Sequence, residues 1–244
     1  MAEYIVAPAS HYYPLPDNVS FEDASLVEPL AVAWHAVKRS PFNPGNNVLV
    51  LGAGPIGIGA VQVLKLQGAK NIMVVELLQN RKELARKYGA THIFDPKETD
   101  IPKAVSDLTD GRGVEIVFDT AGVEIALNGI IDATQVQGTI VNIAVWEKRP
   151  VIDVNDLMYR EINYMGATLY DEASFQEVIE NLHTGACDNM TFEISSVDKA
   201  LGKLNPHEMI STKIRLQDAV EEGFKKLIES RDSYCKILVD PQSS

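Results

Sequence analysis

From Asn46 onward, short apolar runs rich in β-branched residues alternate with longer stretches whose apolar positions recur every three or four residues. The short runs predict six strands, at Val48–Gly52, Asn71–Glu76, Thr91–Asp95, Val114–Asp119, Thr139–Val145 and Ile162–Leu169. The longer stretches predict five helices, at Ile56–Gln67, Gln79–Tyr88, Ile101–Thr109, Val123–Ala133 and Ala173–His183. This alternation is typical of βαβ units, so we expect an α/β fold with a doubly wound, parallel, six-stranded sheet.

The two ends of the chain carry a different pattern. Residues 1–25 predict one strand and a proline-rich connection, followed by a capped helix that continues through Glu28 to Arg39. The C-terminal end predicts a strand, a helix at Leu216–Ile228 and a second strand. A strand that starts at the first residue has no neighbour to pair with, so we expect that sequence upstream of Met1 is missing.

Composition narrows the class of partner. The chain has 22 Lys and Arg against 34 Asp and Glu, a net charge of −12. That charge opposes attachment to nucleic acid or to an anionic membrane and favours a small-molecule partner. The two cysteines, Cys187 and Cys235, are far apart and predict neither a disulfide framework nor a cysteine zinc site, which fits a cytoplasmic protein. No targeting or membrane segment is visible.

A glycine-rich turn follows the first predicted strand. Its GxGxxG spacing is formed by Gly52, Gly54 and Gly57. The first glycine permits a tight turn, the second lets a pyrophosphate approach the backbone, and the third lets the helix pack on the strand. Pro55 and Ile56 begin the helix, whose free N–H groups favour an anion. The motif therefore predicts a dinucleotide site, although methyltransferases also use such turns.

An acid follows at the spacing that a dinucleotide site requires. Glu76 closes the second predicted strand, 19 residues after Gly57. A carboxylate at this place accepts hydrogen bonds from both ribose hydroxyls of NAD and repels the extra phosphate of NADP, so NAD is the predicted cofactor. Arg81 lies about one helical turn further on, and the sequence allows either a contact with the adenosine part or an ordinary solvated charge.

Glu28 lies in the otherwise apolar run SLVEPLAV and has two interpretations. It can be a partly buried acid with a local partner, or it can be a metal ligand. Zinc held by one carboxylate needs two or three further ligands, normally His or Cys. The candidates show no ligand-like spacing: His11, His35, His92, His183, His207, Cys187 and Cys235. The chain alone does not predict a complete zinc site.

Several segments resemble zinc-dependent medium-chain alcohol dehydrogenases, in particular the branch of (R,R)-2,3-butanediol and sorbitol dehydrogenases. They are LVEPLAVAWHAVKRS, PGNNVLVLGAGPIG, VNIAVWEK, DAVEEGFKKLI and KILVDP. The resemblance implies an NAD-dependent alcohol or diol dehydrogenase with a Rossmann domain at 41–184. It also implies remnants of a GroES-like catalytic domain at both ends, with its tail and a linking helix at 1–40 and its C-terminal part at 204–244. Residues 185–203 then look like an insertion, which is either a surface loop or a retained intron or other error of the gene model.

The same resemblance assigns roles to residues. Glu28 would belong to the catalytic zinc environment, as a ligand or as an acid that exchanges with zinc-bound water, while the family's other zinc ligands lie upstream of this chain. Strand-end residues would line the nicotinamide, although each taken singly also fits an ordinary core strand: Ile143, Ala144, Val145, Thr168 and Tyr170.

Substrate, assembly and alternatives follow from the same likeness. Leu169 stands where sorbitol dehydrogenases have an arginine, which favours a smaller alcohol or diol. Family members pair through the last strand of the nucleotide domain, so Ile162–Leu169 is a candidate homodimer edge.

Two alternative functions remain: a non-catalytic NAD-binding module, and a zinc-independent quinone-type reductase, which prefers NADPH and is disfavoured by Glu76.

Overall fold

The computed structural model describes residues 1–184, 204–230 and 232–242, so the insertion predicted at 185–203 lies outside the described residues. A six-stranded sheet forms its centre. The strands are β1 (Asn47–Leu51), β2 (Asn71–Val75), β3 (His92–Phe94), β4 (Val114–Asp119), β5 (Thr134–Asn142) and β6 (Asn163–Gly166). Every neighbouring pair is parallel, in the order β3-β2-β1-β4-β5-β6. The predicted doubly wound sheet is confirmed, with strand ends shifted by a few residues.

Helices cover both faces of this sheet. They are α1 (Phe21–Ala24), α2 (Val27–Arg39), α3 (Pro55–Leu66), α4 (Gln79–Tyr88), α5 (Ile101–Leu108), α6 (Glu124–Gly129), α7 (Val154–Tyr159), α8 (Glu172–Thr184) and α9 (Lys226–Glu229). The five predicted helices between and after the strands are present. Helix α6 is shorter than predicted, because tight turns between Gly129 and Thr134 lead the chain into β5. No helix within the described ranges is both long enough and apolar enough to cross a bilayer.

The sequence pattern missed α7, because its six residues are too short a window to distinguish a helical repeat. Its start is defined instead by Asp153, whose Oδ1 accepts hydrogen bonds from the backbone N–H groups of Asn155 (3.0 Å) and Asp156 (3.2 Å). An Asp at this position satisfies N–H groups that have no partner within the helix, which explains why so short a segment becomes helical.

Two apolar layers hold the sheet between its helices. Alternate residues of a strand point to opposite faces. In β1, Val48 and Val50 pack with α2, α3 and α8, whereas Leu49 and Leu51 pack with α5 and α6. All five residues of β1 are buried, as expected for a central parallel strand covered on both sides. Gly59 permits the close contact of α3 with α2, because a Cβ there would lie 3.1 Å from the Cβ of Ala33.

The strand predicted at the N-terminus is not formed. Tyr4, Ile5 and Val6 are almost fully exposed, and the first regular element is a single 3-10 turn at Ala9–His11. An isolated strand leaves its backbone groups without partners, so the apolar alternation of this segment does not produce one without an adjacent strand. The capped helix that follows is present as two pieces, and Ser20 caps α1 by accepting a 3.0 Å hydrogen bond from the N–H of Asp23.

The C-terminal prediction of strand, helix and strand is confirmed with one change. Strands β7 (Ile210–Arg215) and β8 (Lys236–Asp240) form a separate parallel pair. The segment between them is a 3-10 turn at Leu216–Asp218 and a π-helical stretch at Ala219–Lys225 before α9, rather than one regular α-helix. The apolar spacing therefore predicted a helical segment but not its widened turns.

Candidate dinucleotide-binding site

The glycine-rich turn joins β1 to α3 at the carboxyl edge of the sheet. Gly52 has φ of 86°, a conformation that side chains with a Cβ rarely adopt. A Cβ on Gly57 would lie 2.0 Å from the carbonyl oxygen of Gly52, so the turn and the helix can approach this closely only with glycine. Gly54 is the N-cap of α3 and supplies no capping side chain, and Pro55 is the first helical residue. The first turn of α3 therefore presents backbone N–H groups to an anion.

Glu76 holds this turn in place. The backbone N–H of Ala53 donates a 2.8 Å hydrogen bond to its Oε2. Its Oε1 accepts from the N–H groups of Leu77 (2.8 Å) and Leu78 (2.9 Å). A carboxylate has about four acceptor positions, so one position on Oε2 stays available for a ribose hydroxyl. Glu76 is 8% exposed and lies at the end of β2, beside the turn that would receive the diphosphate.

Arg81 lies above the same turn. It is in the first turn of α4, and its Nη1 is 4.0 Å from the position that a Cβ of Gly54 would occupy. A guanidinium group at this point can donate hydrogen bonds to the phosphate or to the adenosine ribose of a dinucleotide. Tertiary structure thus places Arg81, whose role the sequence left open, beside Gly54 and the turn that Glu76 holds.

The end of β4 forms the other side of the crevice between the carboxyl ends of β1 and β4. The sequence pattern did not identify this segment as part of the site. The hydroxyl of Thr120 donates to the carbonyl oxygens of Leu51 (2.7 Å) and Gly52 (3.2 Å). Asp119 is fully buried, and its Oδ1 accepts from the N–H groups of Ala121 (3.0 Å) and Gly122 (3.1 Å). Strands β1 and β4 are adjacent where the strand order reverses, which is where open α/β sheets bind ligands. The signal for this segment was the acid and small residues of FDTAG directly after a strand.

Burial controls the ionisation of Asp119. It raises the pKa of this carboxyl, because the charged form loses hydration, while the two N–H donors of the turn act in the opposite direction. Its Oδ2 is buried without a hydrogen-bond partner in the part of the chain that the structure describes. The same buried acid contributes to raising the pKa of Tyr164 on β6, after the burial of that phenol.

The predicted nicotinamide segment after β5 begins beside Asp119. The N–H groups of Ile143 and Ala144 donate to the carbonyl oxygen of Asp119 at 2.9 and 3.0 Å. Val145 is 94% exposed at the edge of the crevice. The loop turns back at Trp146, whose indole N–H donates to the Oδ1 of Asn142 at 2.8 Å. This segment therefore lies next to the glycine turn, across the end of β4.

The predicted segment after β6 has a different environment. Thr168 is exposed, whereas Tyr170 packs against Phe175 with ring centroids 5.3 Å apart. The pKa of Tyr170 is raised, first by burial and then by the negative charge of Glu28. Glu28 itself is exposed in the first turn of α2. Tyr170 is therefore the predicted site residue that lies near Glu28.

Glu28 lacks the companions that a zinc site needs. Within residues 1–184, 204–230 and 232–242, no group of three or more His, Cys, Asp or Glu side chains could hold a metal ion. His35 lies seven residues further along α2, about 10 Å by helical rise, with its Nδ1 3.4 Å from the hydroxyl of Ser174 and 3.6 Å from Asp171. The described residues thus fit a dinucleotide at the glycine turn and do not fit zinc at Glu28.

Comparison with known proteins identifies relatives along nearly the whole chain. The chain is 34% identical to (R,R)-butanediol dehydrogenase of Saccharomyces cerevisiae over 99% of its length, which covers 60% of that protein. It is 35% identical to (R,R)-butanediol dehydrogenase of Bacillus subtilis over 98% of its length, covering 64% of that protein. The crystal structure of 2R,3R-butanediol dehydrogenase from Bacillus subtilis superposes with a TM-score of 0.79 and 34% identity, covering 94% of this chain and 60% of the other.

The chain thus spans between 56% and 64% of the length of the first four curated relatives it matches. The family described as zinc-binding dehydrogenase matches residues 55–184, more than half of the 244 residues. This range contains the helix α3, Glu76 at the end of β2, and the strands β4, β5 and β6, whose carboxyl ends lie at the candidate site. The chain belongs to the zinc-binding dehydrogenase family.

Proposed function

We propose that this chain is the NAD-binding part of an NAD-dependent alcohol or diol dehydrogenase. The observation that carries the proposal is the hydrogen bond from the N–H of Ala53 to Glu76, which places an acid with a free acceptor position beside the glycine turn. A Cβ on Gly57 would clash with the backbone of this turn. In this proposal residues 41–184 form the nucleotide domain, and residues 1–40 and 204–244 belong to a GroES-like catalytic domain.

The two halves of NAD would bind along the carboxyl edge of the sheet. The diphosphate would lie at the start of α3, the adenosine ribose at Glu76 and Arg81, and the nicotinamide beside the ends of β4, β5 and β6. The proposed cofactor residues are Gly52, Gly54, Pro55, Ile56, Gly57, Glu76, Arg81, Ile143, Ala144, Val145, Thr168 and Tyr170. The carboxylate of Glu76, held by three backbone N–H groups, would place a like charge beside a 2′-phosphate.

The proposed substrate of the whole protein is a small alcohol or diol. Relatives named as butanediol dehydrogenases support this choice, and so does Leu169 in place of a charged residue beside Tyr170. Zinc is expected from the family, and Glu28 is our candidate for its environment. The described residues supply one carboxylate there, so we derive no zinc-assisted step from this chain.

Direct titration of the purified chain with NADH and NADPH tests the proposal. We expect NADH to bind more tightly, and we expect Gly57→Ala to abolish binding of both, because a Cβ would lie 2.0 Å from the carbonyl oxygen of Gly52. Gly129→Ala is the matched control, since nothing lies within 4 Å of the corresponding position on α6. Wild-type protein that binds neither nucleotide contradicts the proposal, as does an unaffected Gly57→Ala variant.

A second candidate is an NAD-binding module without hydride transfer, which is favoured because, among the residues that the structure describes, no group of His, Cys, Asp and Glu could hold a metal with Glu28. Elemental analysis for zinc and a diol oxidation assay, both on protein that binds NADH, separate the two candidates. Protein without zinc and without oxidation supports the module, whereas stoichiometric zinc with diol-dependent NADH formation supports the dehydrogenase.

We further propose a homodimer formed through β6, which is an edge strand of the sheet and carries a partly exposed Tyr164.

A cytoplasmic location is proposed from the two widely spaced cysteines. Fractionation of cells that produce the full-length protein tests the location.

A further inference from the structure

Asp119 is a fully buried acid at the centre of the crevice, and it is not among the proposed cofactor-binding residues. It is the last residue of β4, and its register partners are the last residue of β1, Leu51, and the last residue of β5, Asn142. Three strand ends that surround the proposed cofactor site therefore meet at this one residue.

Its side chain determines the conformation of the turn that follows β4. The Oδ1 accepts the N–H groups two and three residues further on, at 3.0 Å from Ala121 and 3.1 Å from Gly122. An Asp that accepts these two donors forms a compact turn without any contribution from a ligand. Gly122 has φ of 62°, a backbone conformation that glycine adopts readily.

This turn contacts both neighbouring loops. On one side, Thr120 donates to the carbonyl oxygens of Leu51 and Gly52 at the glycine turn. On the other side, a Cβ on Gly122 would lie 3.1 Å from the Cβ of Ala144 and 3.6 Å from the carbonyl oxygen of Val145. The main-chain oxygen of Asp119 also accepts the N–H groups of Ile143 and Ala144.

We propose that Asp119 is a positioning residue for the nicotinamide half of the cofactor. Its buried carboxylate builds the turn at 120–122 before the cofactor arrives, and that turn supports the segment 143–145 against which the nicotinamide would lie. Glu76, the acid proposed for the adenosine ribose, is positioned by its own hydrogen bond from Ala53 and not by this turn. The inference rests on the proposed NAD site and goes beyond it by naming what preforms the ring-binding wall.

Binding of NADH and of ADP-ribose to the same variants tests the inference, because ADP-ribose lacks only the nicotinamide. We expect Asp119→Leu to weaken ADP-ribose only through the contact of Thr120 with the glycine turn, and to reduce the preference for NADH over ADP-ribose by about threefold or more. Asp119→Asn keeps an oxygen acceptor for both N–H groups and should restore most of that preference. A merely structural role would weaken both ligands equally.

Asp153→Ala is the matched control. It removes the same pair of hydrogen bonds, an Asp Oδ1 accepting from the N–H groups two and three residues on, at the exposed start of α7. We expect it to lower stability without changing the preference for NADH over ADP-ribose. An unchanged preference in Asp119→Leu overturns the inference but leaves the proposed function intact, whereas wild-type protein that binds neither ligand contradicts the proposed function itself.

Hydrogen exchange on the wild-type protein is the second measurement if Asp119→Leu does not fold. We expect the amides of Ala121 and Gly122 to be protected already in the free protein, and equally so with ADP-ribose, since Asp119 holds both. Amides that exchange freely until NADH is added would mean that the cofactor forms the turn, and the inference then fails.

Discussion

The backbone N–H of Ala53 donates a 2.8 Å hydrogen bond to the Oε2 of Glu76, 23 residues further along the chain. This contact joins the turn after β1 to the end of β2. The acid is therefore held at one side of the glycine turn before any ligand binds. A group that is already positioned loses less entropy on binding, so this contact prepares the adenosine side of the crevice.

We predict that Glu76→Ala relaxes the preference for NAD over NADP. The loss of the like charge beside the 2′-phosphate should reduce the ratio of the two affinities by about tenfold, which corresponds to about 1.4 kcal/mol. Titration with NADH and NADPH under the same salt conditions measures that ratio.

Glu76→Gln is the control for Glu76→Ala, because it removes the charge but keeps one oxygen for the N–H groups of Leu77 and Leu78. It should change cofactor preference with a smaller loss of stability than Glu76→Ala, which leaves buried donors unpaired at a cost on the order of 1–3 kcal/mol. Equal NADH to NADPH ratios in wild type and both variants would remove the assignment of Glu76.

We predict that Asp119 makes the protein less stable as pH rises above about 4. Burial raises its pKa in the folded state above the unfolded value, so the folded protein binds its proton more tightly than the unfolded chain does. Stability from this group is then fully present below the unfolded pKa, near about 3.9, and is lost as pH rises through the folded pKa.

Urea unfolding of wild type and Asp119→Asn across this pH range isolates the effect, because the amide does not titrate. The free energy of unfolding of the variant, minus that of the wild type, should increase with rising pH and become constant once Asp119 has ionised. A difference that stays constant from acid to neutral pH contradicts this prediction.

We predict that Glu177→Ala destabilises the contact between α2 and α8. The buried indole N–H of Trp34 donates to the Oε2 of Glu177 at 2.7 Å, and Lys38 donates to the Oε1 at 2.6 Å. Truncation leaves the indole N–H without its acceptor, which costs on the order of 1–3 kcal/mol in urea unfolding.

Lys38→Ala should cost less than about 1 kcal/mol, because its ion pair with Glu177 is partly exposed. Glu177→Gln retains an acceptor for Trp34 and should fall between the two. The order of the three variants is the measurement, and a larger loss from Lys38→Ala than from Glu177→Ala would assign the stabilisation to charge instead.

We predict that Tyr164→Lys weakens the proposed homodimer. Tyr164 lies on the edge strand β6, opposite Ile140 of β5, and a lysine at a strand edge disfavours pairing with another chain. Sedimentation equilibrium should show a dimer dissociation constant raised by about tenfold or more. His92→Lys, on the opposite edge strand β3, is the control and should leave association unchanged. A wild-type chain that is monomeric at high concentration contradicts the homodimer.

The candidate site was predictable from sequence where its residues belong to local patterns. The glycine turn and Glu76 are read from the spacing between a strand, a helix start and the next strand end. The role of Asp119 was not predicted, because it depends on β4 lying beside β1. The segment FDTAG carries no information about which strand is adjacent. Arg81 was undecided for the same reason, since its position above Gly54 depends on how α4 packs.

The sequence by itself determined the order and type of the six strands and of five helices around them, because an apolar repeat of two or of 3.6 residues is set within a few neighbouring positions. Only the tertiary structure decided that β1 and β4 are neighbours, that Glu28 lies near Tyr170 and away from His35, and that residues 1–8 form no strand. These outcomes depend on partners distant in sequence, since a strand forms only beside another strand and two side chains on different elements meet only when those elements pack.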